Sequence, residues 1–253
     1  TEPRLFDLVK SLTRLSIRAR KRDLAYEFFD EFSKSLGRPA TFIQIGANDG
    51  LRNDPVREFI VRDKWVGVLV EPLPHVFDLL KSNYPDKRFK GLHFVNAAVS
   101  STEANDLSFW TFKNEFLNAL SLEDRLDCLR KASFDKNHVL RFLKAKSAGE
   151  EVIEEIKVKS VSVQQLAEQY LKNDKFDLLV IDAEGYETEI ITNINFSQVK
   201  PAVIFYESHN LGNDKEKIEK FLTDFGYKVW DVLGDTVAVM ESRIGAQSKS
   251  LQN

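Results

Sequence analysis

Acids and amides fall directly after the apolar runs of this chain. The run at residues 41–45 stops at Gly46-Ala47-Asn48-Asp49-Gly50, the run at 66–70 stops at Glu71-Pro72, and the runs at 177–181 and 202–206 stop at Asp182 and Glu207. Gly46 and Gly50 bracket a turn whose backbone can take angles closed to other residues, and they let a ligand approach the main chain. Phosphate sites rely on bare amide donors at a helix N-terminus. An acid in this turn therefore points to a cationic or zwitterionic ligand, an ordinary tight turn being the plainer alternative. Glu71, 25 residues after Gly46, stands where a carboxylate can accept both hydroxyls of a ribose, and Pro72 ends the strand; a solvated strand-end glutamate is the other reading.

S-adenosylmethionine meets that description, since it carries a ribose, a sulfonium and an α-ammonium and no phosphate. NAD-binding folds share the acid of the second strand, but they want a GxGxxG turn and a Tyr-Lys or His-acid pair that this chain does not offer.

The elements that must position these residues follow from periodicity. Strand-like runs at 41–45, 66–70, 92–95, 177–181 and 202–206 alternate with helical stretches near 54–63, 74–83, 162–172, 186–193 and 214–225. That alternation predicts an α/β fold, a doubly wound and mostly parallel sheet. Val229–Val232 and Thr236–Met240, joined across Leu233-Gly234-Asp235, predict a closing antiparallel hairpin. Ligands bind beyond the carboxyl ends of such strands, so their terminal residues should converge on one cleft. Residues 4–36 read as a helix, whose basic cluster Arg14, Arg18, Arg20, Lys21 and Arg22 reads as a solvated face. The segment 101–160 is longer than a simple connection, with strand-like runs Leu107–Phe112 and Val152–Val158 flanking a helical stretch. It reads as a lid or acceptor-binding insertion, with Phe109, Trp110 and Phe112 either offering a ring to a sugar or filling a core.

The pieces Ile45-Gly46-Ala47-Asn48-Asp49-Gly50, Glu71-Pro72, Asn96-Ala97-Ala98-Val99-Ser100, Ile181-Asp182-Ala183-Glu184-Gly185-Tyr186-Glu187 and Pro201 through Glu207, in that order, resemble the FkbM-type methyltransferase family over roughly residues 40 to 240. The resemblance implies a class I methyltransferase (Rossmann-like) fold and S-adenosylmethionine-dependent O-methylation of a sugar or glycan hydroxyl, or of a natural-product (polyketide-type) alcohol. It implies cofactor binding by Gly46, Ala47, Asn48, Asp49, Gly50, Glu71, Pro72, Asn96, Ala97 and Asp182, with Asn96 and Ala97 near the adenine. One departure is Gln44, where relatives usually carry an acid two positions before the first glycine. A non-catalytic carbohydrate-binding module on the same fold is the alternative that this departure favours. The expected organisation is an N-terminal helical extension at 1–37, a methyltransferase domain at 38–242 with the insertion at about 113–150, and a disordered tail at 243–253.

A sulfonium is already an activated electrophile, so the protein must position the acceptor and remove its proton. An alcohol needs a general base or a divalent cation for that. His209 is the candidate base, the one histidine of four expected at a strand C-terminus, while His75, His93 and His138 fall on helical or strand surfaces; capping the next helix is its other reading. Asp182 and Glu207, ending adjacent strands, form a candidate catalytic pair suited to one magnesium ion, and Asp182 has a rival role in binding the cofactor's ammonium.

The chain has 253 residues, enough for one α/β domain with appendages. With 36 basic and 39 acidic residues the net charge is −3, so nothing drives the whole molecule to nucleic acid or a membrane. A lone Cys128 excludes an internal disulfide and a cysteine zinc cluster. No apolar run approaches the ~18–20 residues of a membrane span, and no signal sequence opens the chain. The expectation is a cytoplasmic enzyme with a carbohydrate or small-molecule acceptor. The start at Thr1 fits a trimmed chain or one module of a larger multidomain glycan-synthesis protein.

Overall fold

Apolar runs of four or five residues, buried on both faces, build the centre of the protein. The computed structural model describes residues 21–85, 88–145, 148–172, 176–209, 211–232 and 234–241. Strands β1 (Thr41–Ile45), β2 (Val66–Val70) and β3 (Leu92–Val95) precede a second sheet made of β4 (Ala98–Val99), β5 (Ala104–Phe112) and β6 (Ile153–Val161); β7 (Leu178–Ile181), β8 (Val203–Glu207), β9 (Tyr227–Val232) and β10 (Asp235–Met240) follow it. The main sheet runs β3-β2-β1-β7-β8-β10-β9. Its first five strands are parallel and the β9–β10 hairpin closes it antiparallel. Four successive buried residues in each of β1, β2, β7 and β8 are what a sheet covered on both sides demands.

Successive side chains point to opposite faces. Phe42, Leu69, Val180 and Phe205 pack on one side, with Phe28, Phe29 and Phe32 of α1 (Lys21–Leu36) and Phe59 of α2 (Arg57–Asp63). Ile43, Val70, Ile181 and Tyr206 pack on the other, with Leu166 of α7 (Val163–Leu166), Ile190 of α8 (Glu187–Thr192) and Leu222 of α9 (Asp214–Asp224). The register pairs Ile45 with Val70 and with Ile181, and Ile181 with Tyr206. Gly46, Glu71, Asp182 and Glu207 are thereby brought to one edge of the sheet. At the opposite edge Asp177 accepts both Arg38 guanidinium nitrogens, at 2.7 and 2.8 Å, and the Thr41 amide at 2.8 Å, which fastens β1 to β7.

Between β5 and β6 lie α4 (Asn114–Asn118), α5 (Leu122–Arg130) and α6 (Lys136–Ala145). This insertion has a core of its own around Phe112, Leu126, Cys128, Val139 and Leu143, shared with Leu73 and Val76 of the α3 region (α3, Pro74–Asn83). The strands expected to flank it pair with each other, and β6 also pairs parallel with the two-residue β4.

Two details differ from the expectations, and one open alternative is resolved. The helix placed at 54–63 begins at Arg57, because Asp54 precedes Pro55 and its Oδ1 accepts the amides of Val56 and Arg57 at 2.9 and 3.1 Å. The helix at 162–172 divides into α7 and a π-helical turn at Ala167–Leu171. Of the three aromatic residues, Phe109 and Phe112 are both buried in the insertion's core and Trp110 packs against it under Lys136, whose Nζ is 4.6 Å from the ring centroid; Phe109 also lines the cleft. The expected helix over 4–20, most of its basic cluster and the tail from 242 lie outside the described residues. No helix among the described residues is long and apolar enough to cross a membrane.

Candidate active site

The turn after β1 is shaped by backbone contacts. Gly46 has φ +73°, and a Cβ there would stand 1.8 Å from the carbonyl oxygen of Asp182. Close packing against β7, not room for a ligand, is what requires this glycine. Gly50, at φ +64°, is required in the same way, since a Cβ there would stand 2.5 Å from side-chain carbons of both Leu80 and Tyr84. Asp49 is buried and its Oδ1 accepts the amides of Leu51 and Arg52 at 2.9 and 3.0 Å, so it shapes the turn. Asn48, at φ +49°, donates its amide to Glu71 Oε2 at 3.0 Å. Gln44 is buried and its side-chain amide donates to Asp54 at 3.3 Å, tying the departure from the family pattern to the turn that opens α2.

Glu71 accepts a second amide, that of Leu73, on Oε1 at 2.9 Å. Each carboxylate oxygen keeps a lone pair for a hydroxyl donor. Burial, against the pull of both amides and with some help from Asp49, pushes the Glu71 carboxyl up to about 7. Asn96 donates to the carbonyls of Glu71 and Pro72, at 2.8 and 3.0 Å, and so fixes the strand end from behind.

The turn after β7 is held from two sides. Glu184 has φ +49°, an uncommon angle for a side-chain-bearing residue. Glu187 is buried and accepts the amides of Ala183 and Gly185, at 2.7 and 3.0 Å, bracing the turn from below; burial pushes this carboxyl up to about 7. The insertion braces it from above. Ser133 Oγ donates to the Glu184 carbonyl at 2.9 Å, and Lys131 donates to both Glu184 carboxylate oxygens at 2.5 and 2.7 Å. His138 Nε2 lies 3.0 Å from Glu184 Oε2, and the rings of Phe134 and Tyr186 meet at 4.6 Å. His138, expected on a helix surface, is buried. Burial works against charge on Glu184, yet His138 and Lys131 hold its carboxyl below the ordinary value.

A cleft of about 630 Å³, counting its open mouth, lies between the strand ends and the insertion. Gly46, Asn48, Glu71, Pro72, Ala97 and Asp182 line it; Ala47, Asp49, Gly50 and Asn96 stand behind these as supports. Glu207 and His209 stand outside the lining, at the end of the neighbouring strand. Glu207 nevertheless brings a carboxylate oxygen within 4.8 Å of oxygens of Asp182 and Glu184. His209 Nδ1 is 3.3 Å from Glu207 Oε1, with the imidazole half-exposed. Asp182 Oδ1 is buried without a hydrogen-bond partner among the described residues. Burial first, then Glu184, Glu207 and Glu187, raises its carboxyl well above the ordinary value.

Sequence reasoning offered the insertion and Phe109 for this wall but missed Leu129, Arg130, Ala132 and Phe134. The insertion's helical patterning signalled order, but nothing in it signalled which side chains turn inward.

These residues fit a ligand that is positively charged and bears hydroxyls. Glu71 has free lone pairs for a diol, and Asp182 has an unpartnered oxygen for a cation. They fit magnesium less well, because Lys131 and His138 surround Glu184 and His209 stands 3.3 Å from Glu207 Oε1.

The methyltransferase FkbM domain family matches residues 44–229. The strand order with its closing hairpin is the class I methyltransferase fold, in keeping with that family. Among solved structures, methyltransferase FkbM from Methylobacillus flagellatus KT is 11% identical with a TM-score of 0.47, and the match covers 92% of this chain and 58% of that one. Precorrin-6y C5,15-methyltransferase from Geobacter metallireducens GS-15 is 11% identical at a TM-score of 0.39, covering 84% and 88%. Fibrillarin from Aeropyrum pernix, solved with natively bound S-adenosyl-L-methionine, is 10% identical at 0.42, covering 80% and 67%. No curated protein matches the chain.

Proposed function

The chain belongs to the FkbM methyltransferase domain family, whose members depend on S-adenosylmethionine, and from that premise we propose that it methylates a hydroxyl of a sugar or glycan. The observation that carries this reading is the cleft itself, with a diol acceptor, Glu71, and an unpartnered acid, Asp182, on one wall, and Phe109 with Phe134 on the other. S-adenosylmethionine, when bound, supplies a methyl group already activated by the sulfonium charge.

The chain's own residues supply the rest. Glu71 accepts the ribose hydroxyls on the lone pairs its two backbone donors leave free. Asp182 meets the ammonium group, whose charge favours ionisation of its raised carboxyl. The edge-to-face pair of Phe109 and Phe134, with centroids 5.1 Å apart, presents apolar surface to a sugar's carbon face. With the cofactor bound, His209 would take the proton of the acceptor hydroxyl, and Glu207 would orient the imidazole from 3.3 Å.

Calorimetry with S-adenosylmethionine tests the cofactor, and labelled S-adenosylmethionine offered to a glycan extract of the source organism, followed by mass spectrometry, tests the acceptor. Glu71→Ala removes two charge-assisted hydrogen bonds, each worth about 1.5–3 kcal/mol, and should weaken cofactor binding at least tenfold, to order of magnitude. Activity should survive EDTA. Its loss on chelation and return with magnesium would reassign Asp182 and Glu207 as metal ligands. Binding without transfer to any sugar, lipid or polyketide-type alcohol would favour a carbohydrate-binding module.

A further inference from the structure

Every charged side chain on the cleft wall is acidic but one. Glu71, Asp182 and Glu184 are the acids, and Arg130, the last residue of α5, is the one lysine or arginine among the described lining residues. Its neighbour Lys131 is committed to Glu184. Arg130 is half-buried, and its guanidinium makes no hydrogen bond or ion pair to any described residue. Removing a cation from water without giving it a partner is unfavourable, so a partner supplied by the ligand is the economical expectation. In the lining of the same cleft Asp182 Oδ1 is an acceptor without a donor, and no ion pair among the described residues joins the two. An unmatched acid and an unmatched guanidinium on residues that line one cleft complement a ligand that carries both an ammonium and an oxyanion.

We propose that Arg130 receives an oxyanion in the cleft, either the α-carboxylate of the cofactor or an acidic group on the acceptor. The planar fork of a guanidinium matches a carboxylate through two parallel hydrogen bonds, which a lysine cannot reproduce. The zwitterionic end of S-adenosylmethionine presents that carboxylate beside the ammonium assigned to Asp182. An acceptor such as a uronic acid presents one from the insertion's side. This inference rests on the cofactor reading above.

Calorimetry on the full chain separates the two sources, with wild type, Arg130→Met and Arg130→Lys each titrated with S-adenosylmethionine and with its decarboxylated analogue. For a cofactor carboxylate, Arg130→Met should bind S-adenosylmethionine about tenfold or more weakly and the decarboxylated analogue unchanged, which also shows the variant is folded; Arg130→Lys should fall between. For an acceptor oxyanion, both cofactor affinities should stay at wild-type values. Saturation-transfer NMR on protein loaded with S-adenosylhomocysteine should then show wild type preferring methyl β-D-glucuronide over methyl β-D-glucoside, and Arg130→Met losing that preference. Wild-type behaviour of Arg130→Met in both experiments would overturn the inference while leaving the cofactor reading intact. A wild-type chain that binds no S-adenosylmethionine would overturn that reading, and this inference with it.

Discussion

Burial first, then the charges of Glu184, Glu207 and Glu187, raises the Asp182 carboxyl well above its ordinary range. At low pH it is therefore neutral and offers nothing to an ammonium group. A cation entering the cleft favours the ionised form and expels the proton. Affinity for S-adenosylmethionine should thus rise with pH until Asp182 is ionised in the free protein, and binding below that point should release protons. Calorimetry in buffers of different ionisation enthalpy measures that release, which should fall in Asp182→Asn to the share that Glu71 contributes; undiminished release from the variant would remove Asp182 from the site. Glu71 and Asp182 are legible in the sequence because an acid directly after a buried apolar run has only the strand end to occupy. The reason for Gly46 is not legible, since the atom it must avoid, the Asp182 carbonyl oxygen, belongs to a strand end 136 positions later in the sequence.

The elements divide along the same line between local and distant causes. Buried four- and five-residue runs and the final hairpin announce themselves, so the parallel sheet and its antiparallel closure follow from pattern alone. The second sheet does not, because β4 is only two residues long and has meaning only beside β6. Nor does pattern show that the insertion grips the turn after β7 through Lys131, Ser133 and His138. That grip can be weighed. The Lys131 side chain is 27% exposed and that of Glu184 7%, between an exposed pair worth about 0–1 kcal/mol and a buried one whose breakage costs about 3–5. Lys131→Met should accordingly lower unfolding stability by about 1–3 kcal/mol, read from the urea midpoint, and adding Glu184→Gln should recover part of the loss. An unmoved midpoint would mean that Ser133 and the Phe134–Tyr186 contact hold the insertion without the ion pair.

Across the whole molecule, the organisation read from sequence sets the first 37 residues apart as an extension, whereas α1 packs into the principal core. Leu24, Phe28, Phe29 and Phe32 are at most 2% exposed. Phe29 meets Phe205 at 4.9 Å between centroids, and the Trp65 indole nitrogen donates to Ser33 Oγ at 3.0 Å, an atom that in turn donates to Asp63 at 2.6 Å. Periodicity shows that such a helix has an apolar face, but it cannot show what that face covers. We propose that the folding unit includes α1. Burying an aliphatic or aromatic side chain of this size contributes about 1.5–3 kcal/mol, so these four together contribute about 6–12 kcal/mol. That equals most or all of the roughly 5–15 kcal/mol by which a domain is stable. A chain beginning at residue 38 would also leave Phe59, Trp65 and Phe205 open to water on the face that α1 covers. It should be insoluble or show no cooperative melting transition, while the single change Phe28→Ala in the full chain should cost about 3–5 kcal/mol and leave a cooperative transition at a lower midpoint. A truncated chain that melts cooperatively at the temperature of the full one, and binds S-adenosylmethionine with the same affinity, would restore the boundary at residue 38.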